Sequence, residues 1–342
     1  MLKLPNESVN ALRPGLAGRT VCVTGGAGFI GGHLVDALVS MGCQIRVIDD
    51  LSNSSADHLI ELIEMDAERV QLIRGSILDD AALADAMLGA DVVFHLAAVS
   101  SVPRSVAEPE RSYTVNVTGT LRVAEAARRA HVRRIVYSAS SSAYGQSEVL
   151  PKVETQLPMP VSPYGASKLA GEQIMRAWAQ SYRLSTVSLR YFNIFGPRQP
   201  ADSPYSAVVA VFAKKLLSGE QPVIFGDGTQ SRDFTFVANA VLANLLAATT
   251  DTPLAGEVVN IGSGTSTSLA DLASTLAERC GVPHLTARLE PARIGDVLHS
   301  QADVSEAKRL IGFSPVVTLS QGLSQTVDWY RSVCAPCGGD GT

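Results

Sequence analysis

From Arg19 onward, short apolar runs alternate with longer stretches whose apolar residues fall three and four apart. Thr20–Thr24 (TVCVT), Gln44–Ile48, Val70–Arg74, Asp91–His95 and Arg134–Ser138 read as strands, and Phe29–Met41 reads as a helix between the first two. These strands lack a polar face, so both sides of each are covered, as in a parallel sheet with helices above and below. Right-handed crossovers then predict a doubly wound parallel α/β sheet. After Leu189 the pattern changes to Gly- and Pro-rich loops, FGPRQPADSP (195–204) and FGDGTQSRDF (225–234), with shorter helices such as Ser268–Cys280. The expected organisation is an N-terminal arm (1–18), a sheet domain (19–190), a smaller C-terminal α/β lobe (191–333) and a tail (334–342). Val237–Thr249 is expected to return to the first sheet.

Composition narrows the function classes. A chain of 342 residues, 46% hydrophobic and 18% charged, has the profile of a soluble globular protein with a large core. A net charge of −5 offers no basic footprint for nucleic acid. No apolar run reaches the ~18 residues of a membrane span, and the first eighteen residues lack the apolar core of a signal peptide. A cytoplasmic protein is expected. The five cysteines are too sparse for a disulfide framework. Cys22 and Cys43 read as small core residues. Cys334 and Cys337 form a C-x-x-C without a second pair, so no metal site is expected.

The segment VTGGAGFIGGHL (23–34) spaces Gly25, Gly28 and Gly31 as G-x-x-G-x-x-G between a strand and a helix. That context marks a dinucleotide turn. Gly25 permits the tight turn, Gly28 lets a pyrophosphate approach, and Gly31 lets the helix lie close. The helix N-terminus supplies free N–H groups and partial positive charge for the phosphates. The next strand runs into Asp49, placed to accept from the ribose hydroxyls and to repel a 2′-phosphate, which favours NAD over NADP.

In SPYGASKLAGEQI (162–174), Tyr164 and Lys168 lie one helical turn apart on one face. A phenol is a poor base at neutral pH. A neighbouring ammonium, and the positive charge of a bound nicotinamide, are expected to lower its pKa and make it a base for a sugar hydroxyl.

At these residues the chain resembles the extended short-chain dehydrogenase/reductase family, in its branch of nucleotide-sugar epimerases and dehydratases. The resemblance runs from about Arg19 to Tyr330. It rests on TGGAGFIG (24–31), HLAA (95–98), Asn116 followed by VTGT, SSSAYG (140–145), YGASK (164–168), LRYFNIFGPRQ (189–199), the GDG…SRDF run (226–234) and RIGDVLHS (293–300). It implies a Rossmann domain binding NAD, a C-terminal lobe gripping a nucleotide diphosphate sugar, and a homodimer paired through two helices per subunit, near Asn116–Ala130 and Tyr164–Arg183. The implied cofactor residues are Gly25, Gly28, Phe29, Ile30, Gly31, Asp49, Asn53, Ser76, Ile77, Leu96, Ala97, Ala98, Asn116, Tyr164 and Lys168. Ser76 is a departure, because the family often has an acid there that contacts adenine.

The resemblance also gives the three serines a meaning. Ser140 matches the Ser or Thr that hydrogen-bonds the reacting sugar oxygen. The next two positions hold an Asp–Glu pair in 4,6-dehydratases, which need an acid and a base; here they are Ser141 and Ser142. The Glu usual in decarboxylases is absent too. What remains is removal and return of a proton and a hydride at one carbon, which is 4-epimerisation, with Tyr164, Lys168, Ser140, Ser141 and Ser142 as candidate catalytic residues. Arg232 and Arg293 resemble arginines that hold the diphosphate. Asn193 resembles a diphosphate and sugar contact, Asp296 a uridine-ribose acceptor, and Gly226 part of the uracil-side loop; Val208 also falls at a substrate position. Ser300, Ser101 and Arg104 of SVPRS, and the serine cluster resemble the UDP-N-acetylglucosamine 4-epimerase subgroup, a small Ser300 leaving room for an N-acetyl group. UDP-glucose and UDP-galactose remain open as substrates. Arg104 facing a uronate carboxylate would instead suit a UDP-glucuronate or UDP-GlcNAc-uronate epimerase or decarboxylase. A non-catalytic NAD-binding regulator of this fold typically lacks the Tyr–Lys pair that this chain keeps. His95 is expected in the core, and His299 in a loop beside the sugar.

Overall fold

The computed structural model describes residues 4–201, 207–291 and 297–334. Arg293, Asp296, Cys337 and the side chain of Cys334 lie outside the described residues. The centre is a seven-stranded sheet of β1 (Thr20–Thr24), β2 (Gln44–Asp49), β3 (Val70–Arg74), β4 (Val92–His95), β5 (Arg134–Ser140), β6 (Ser185–Tyr191) and β7 (Ala255–Ile261). Their order is β3-β2-β1-β4-β5-β6-β7, and every pairing is parallel. All residues of β4 and β5 are buried, as strands covered on both faces must be. The order reverses direction at β1, where β2 lies on one side and β4 on the other. Such a switch opens a crevice beyond the carboxyl ends of the strands.

Two expectations gain detail. Within the expected N-terminal arm, Asn6–Leu16 is a helix. Leu12 and Leu16, one turn apart, are buried in the main core together with Leu4, and the helix lies on the helices Val237–Thr249 and Phe29–Met41. Pro14 and Gly15 inside this helix mask its short apolar stripe. The stretch 255–261, expected in the C-terminal lobe, supplies the seventh strand instead. Its Val259 and Ile261 are fully buried beside Leu189 and Tyr191 of β6. The helix Val237–Thr249 packs on β5 and β6, which its almost entirely buried sequence requires.

The remaining C-terminal segments form a smaller lobe. Ile194–Phe195 pairs with Thr235–Phe236, Ser231–Arg232 with Thr267–Ser268, and Val223–Phe225 with Arg288–Glu290. The helices Val208–Leu217, Leu269–Cys280 and Leu319–Cys334 pack together behind these ladders. Among the described residues no helix is long and apolar enough to cross a membrane.

Candidate active site

The crevice at the end of β1 contains a cavity of about 840 Å³. The chain leaves β1 through Gly25 at φ +73°, and its N–H donates to the Ile48 carbonyl at 2.8 Å. A Cβ on Gly25 would stand 2.7 Å from the Ala97 nitrogen, so only glycine fits between the two strand ends. Gly28 caps the helix Phe29–Met41, and no side chain satisfies that helix end. Its first-turn N–H groups are therefore available to an anionic ligand. Asp49 sits at the tip of β2, where its carboxylate accepts from Ala27 N (3.0 Å), Leu51 N (2.9 Å) and the Ser54 hydroxyl (3.1 Å).

Most of the expected dinucleotide contacts meet on this one wall. Gly25, Gly28, Phe29, Ile30 and Gly31 line the cavity, as do Asp49, Asn53, Ser76 and Ile77, then Leu96, Ala97 and Ala98, with Tyr164 and Lys168. Asn116 does not line it. Its buried amide accepts from Val99 N (2.8 Å) and donates to Val99 O (3.1 Å) and the Ser167 hydroxyl (3.0 Å). Asn116 thus braces the loop after β4 against the helix that carries Tyr164.

That helix, Pro163–Tyr182, is fixed at its start. Ser162 caps it by accepting from Gly165 N at 3.1 Å, and Pro163 occupies a first-turn position. The Tyr164 N–H donates to the Ser105 hydroxyl at 3.0 Å, and Ser105 in turn donates to the Val102 carbonyl at 2.7 Å. Ser105 therefore ties the short helix Val102–Ala107 to the backbone of Tyr164. Beneath the helix, the Lys168 ammonium lies 4.7 Å from the centroid of the Tyr137 ring on β5. Glu172, one turn further on, is committed to Arg190 through bonds of 2.9 and 2.8 Å in a fully buried pair.

These surroundings set the acid–base character. Burial pushes the Lys168 ammonium down to about 7, with Glu172 pulling in the opposite direction. Burial holds the Tyr164 phenol above its ordinary value, and a hydrogen bond with Ser140 pulls it part of the way back. Burial thus sets the direction for this phenol, and the expected lowering is tied to the charges of Lys168 and a bound nicotinamide together.

Ser140 ends β5, where its hydroxyl accepts from Ser142 N (3.2 Å) and donates to the Ser142 hydroxyl (3.1 Å). Ser141 and Ser142 begin the turn Ser141–Tyr144 that follows. The three serines lie outside the cavity wall, although the neighbouring Ser138 and Ala139 belong to it. Ser101 and Arg104 do line the cavity. Arg104 donates to Asn53 at 2.5 Å rather than standing alone.

On the C-terminal side the structure gathers Arg232, His299 and Ser300. Arg232 donates to the carbonyls of Ser231 (2.9 Å) and Leu298 (3.0 Å), Ser300 N donates to Ser231 O (3.0 Å), and His299 meets the Ser231 hydroxyl at 3.0 Å. Gly226 donates to Glu290 O (2.8 Å) at φ +105°. Asn193 is exposed just beyond β6, with its carbonyl accepting from Thr235 N (3.2 Å), and Val208 opens a helix next to Ala207 of the cavity wall. His95 is fully buried between the hydroxyls of Thr24 (2.7 Å) and Thr120 (2.9 Å).

The sequence reading did not single out Ser105, Tyr137 or Asp233. Asp233 is buried and accepts from Ser263 N and its hydroxyl (both 2.7 Å), Gly264 N (3.0 Å) and Ala302 N (3.1 Å). It joins the strand carrying Arg232 to the segment after Ser300. An acid placed between Arg232 and Phe234 in an apolar context was the available signal.

Comparison with known proteins places this geometry. Residues 21–262 match the model of the NAD dependent epimerase/dehydratase family. A UDP-glucose 4-epimerase of Mycolicibacterium smegmatis is 38% identical over 91% of this chain and 98% of its own length. Two solved structures superpose with TM-scores of 0.86 at 37% identity. One is a UDP-N-acetylglucosamine 4-epimerase from Methanobrevibacter ruminantium in complex with UDP-N-acetylmuramic acid, covering 93% of this chain and 99% of the other. The second is a UDP-glucose 4-epimerase from Thermotoga maritima with UDP-glucose, covering 92% and 99%.

Proposed function

Because the chain belongs to the NAD-dependent epimerase/dehydratase family, we propose that it inverts carbon 4 of a UDP-hexose through a transient 4-keto sugar. The observation that carries this reading is that Tyr164 and Lys168, one turn apart on one helix, line the same cavity as the Gly25 turn and Asp49, with hydroxyls and no carboxylates at positions 140 to 142. Such a site moves a proton on and off one alcohol. It offers no acid–base pair at those two positions to expel water from the sugar.

The dinucleotide fits the residues present. The Gly25–Gly28 turn and the uncapped helix end would hold its pyrophosphate, and Asp49 its ribose. Three of about four acceptor positions on Asp49 are already used, so accepting from both ribose hydroxyls requires the Ser54 hydroxyl to turn away. Bound NAD supplies an acceptor for the C4 hydride and a positive charge near the phenol. Tyr164 takes and returns the 4-hydroxyl proton, and Ser140 holds that oxygen. Lys168 favours the phenolate. Between removal and return the keto sugar must present its other face, so the grip belongs on the nucleotide, where Arg232 fits the diphosphate.

The finer substrate assignment is UDP-GlcNAc and UDP-GalNAc, with UDP-glucose and UDP-galactose as further candidates. Ser300 supports it by resemblance, since the family position near the sugar's 2-substituent carries a small residue here, beside Ser231, where a bulky one would exclude an N-acetyl group. The test is incubation with UDP-GlcNAc, UDP-glucose and UDP-glucuronate, followed by resolution of the products. C4 stereoisomers of unchanged mass support the proposal. Release of carbon dioxide supports a decarboxylase instead, and absence of turnover with NAD bound supports a non-catalytic role.

A homodimer forms part of the same proposal. The helices Thr120–Arg129 and Pro163–Tyr182 pack side by side and leave Leu121 and Tyr182 exposed. Light scattering of the purified protein at twice the chain mass supports pairing through this face.

A further inference from the structure

Arg104 and Asn53 sit on opposite rims of one cleft. Asn53 follows β2, Arg104 belongs to the helix Val102–Ala107 after β4, and β1 lies between those two strands. Two strand spacings, about 10 Å, separate β2 from β4. The side chains nevertheless meet, with Arg104 Nη1 donating to Asn53 Oδ1 at 2.5 Å, and both residues line the cavity that begins at the glycine turn of β1. The bond therefore bridges the two strands that flank that turn.

The Arg104 side of the bridge is held in place. The Ser101 hydroxyl caps its helix by accepting from Arg104 N at 3.3 Å, and Glu108 Oε1 lies 3.6 Å from Arg104 Nε. The Nε itself has no hydrogen-bond partner among the described residues. A guanidinium carries five N–H donors, and the Asn53 bond uses one of them. The remaining Nη donors suit phosphate oxygens, to which arginine binds strongly.

We propose that Arg104 is a cofactor-retaining residue that, together with Asn53, forms a clasp across the dinucleotide cleft, rather than a reader of the sugar. The inference rests on the epimerase reading. That reaction ends with its cofactor unchanged, so turnover does not require release. Release between the two hydride steps would leave an oxidised sugar and a reduced cofactor on separate molecules. A bond closing the cleft slows that loss without hindering sugar exchange from the C-terminal lobe.

The test measures cofactor release, which is independent of turnover. Holoenzyme loaded with NADH is chased with excess NAD, and the fall in nicotinamide fluorescence gives the release rate for wild type, Arg104→Ala, Arg104→Lys, Asn53→Ala and the double alanine variant. UDP and UDP-glucuronate affinities are measured by calorimetry on the same preparations. Arg104→Ala and Asn53→Ala are each expected to speed release about tenfold, equivalent to about 1.4 kcal/mol. The double variant is expected to be no faster than either single one, because the two residues act as a unit. Arg104→Lys is expected to fall between wild type and Arg104→Ala, and UDP affinity to stay unchanged. Unaltered release in either single variant overturns the clasp, as does a double variant whose effect is the product of the two. Weakened UDP-glucuronate binding with unaltered NADH release would return Arg104 to the sugar. Should Arg104→Ala fail to fold, Asn53→Ala and Arg104→Lys decide the matter alone.

Discussion

The Lys168 ammonium lies over the face of the Tyr137 ring, 4.7 Å from its centroid, between the helix that carries the lysine and the strand that ends in Ser140. The negative face of the ring favours the charged lysine, whose charge burial otherwise opposes. Tyr137→Phe keeps that face and is expected to retain kcat within about twofold, whereas Tyr137→Leu is expected to lower it about tenfold. Steady-state kinetics at neutral pH check this, and equal losses in the two variants would remove the ring from the account.

Ser105 accepts the N–H of Tyr164 from 59 positions away in sequence. Ser105→Ala leaves that first-turn amide without its partner, a loss of about 1 kcal/mol in a hydrogen bond that positions the reacting phenol. The expected result is a kcat lowered several-fold with KM for the UDP-sugar nearly unchanged. A rise in KM with unchanged kcat would show that Ser105 serves the sugar instead.

The pair Glu172–Arg190 is buried and bidentate, and the Arg190 guanidinium also lies 4.6 Å from the centroid of the Tyr144 ring. Glu172→Gln strands a buried guanidinium, and such a loss costs about 3–5 kcal/mol. Urea unfolding should show a lowered midpoint at an unchanged m-value. A decrease below about 1 kcal/mol would mean that water reaches Arg190.

His95 is neutral in the fold, its pKa driven down to about 3 by burial, with Lys168 adding to the effect. The unfolded chain takes up that proton near the ordinary value of 6.5. The unfolded state thus binds more protons across this window, and stability falls as pH drops from about 6.5 towards 3. The slope contributed by His95 is on the order of 1 kcal/mol per pH unit. Unfolding free energies measured through the window check it, and an NMR titration of this imidazole near its ordinary value would contradict it.

What the chain reveals by itself is local. The glycine turn, Asp49 at a strand tip and the Tyr164–Lys168 pair are each set by spacings within one strand–helix unit, and the structure brings them to one cavity wall. The strands β1, β4 and β5 were legible because they are almost wholly buried, and β2 and β3 because their apolar residues still cluster in short runs. The helix Asn6–Leu16 was not, since Pro14 and Gly15 interrupt a stripe of only a few leucines. The seventh strand was obscured because Gly256 and Glu257 precede its apolar end, and its place in the sheet comes from pairing with β6. Ser105, Asn116 and Asp233 act through partners distant in sequence, and no periodicity reports such contacts. The burial that raises the Tyr164 phenol was not legible for a similar reason, since it is a property of the assembled fold.

Proton and hydride exchange at a single carbon is the central claim, and deuterium at carbon 4 tests it most directly. UDP-GlcNAc labelled there is incubated with the enzyme in ordinary water, and the product is analysed by NMR and mass spectrometry. The C4 epimer is expected to form with the deuterium still on carbon 4, and Tyr164→Phe is expected to abolish its formation. A product that has lost the label to solvent, or that is lighter by a water, would contradict the account.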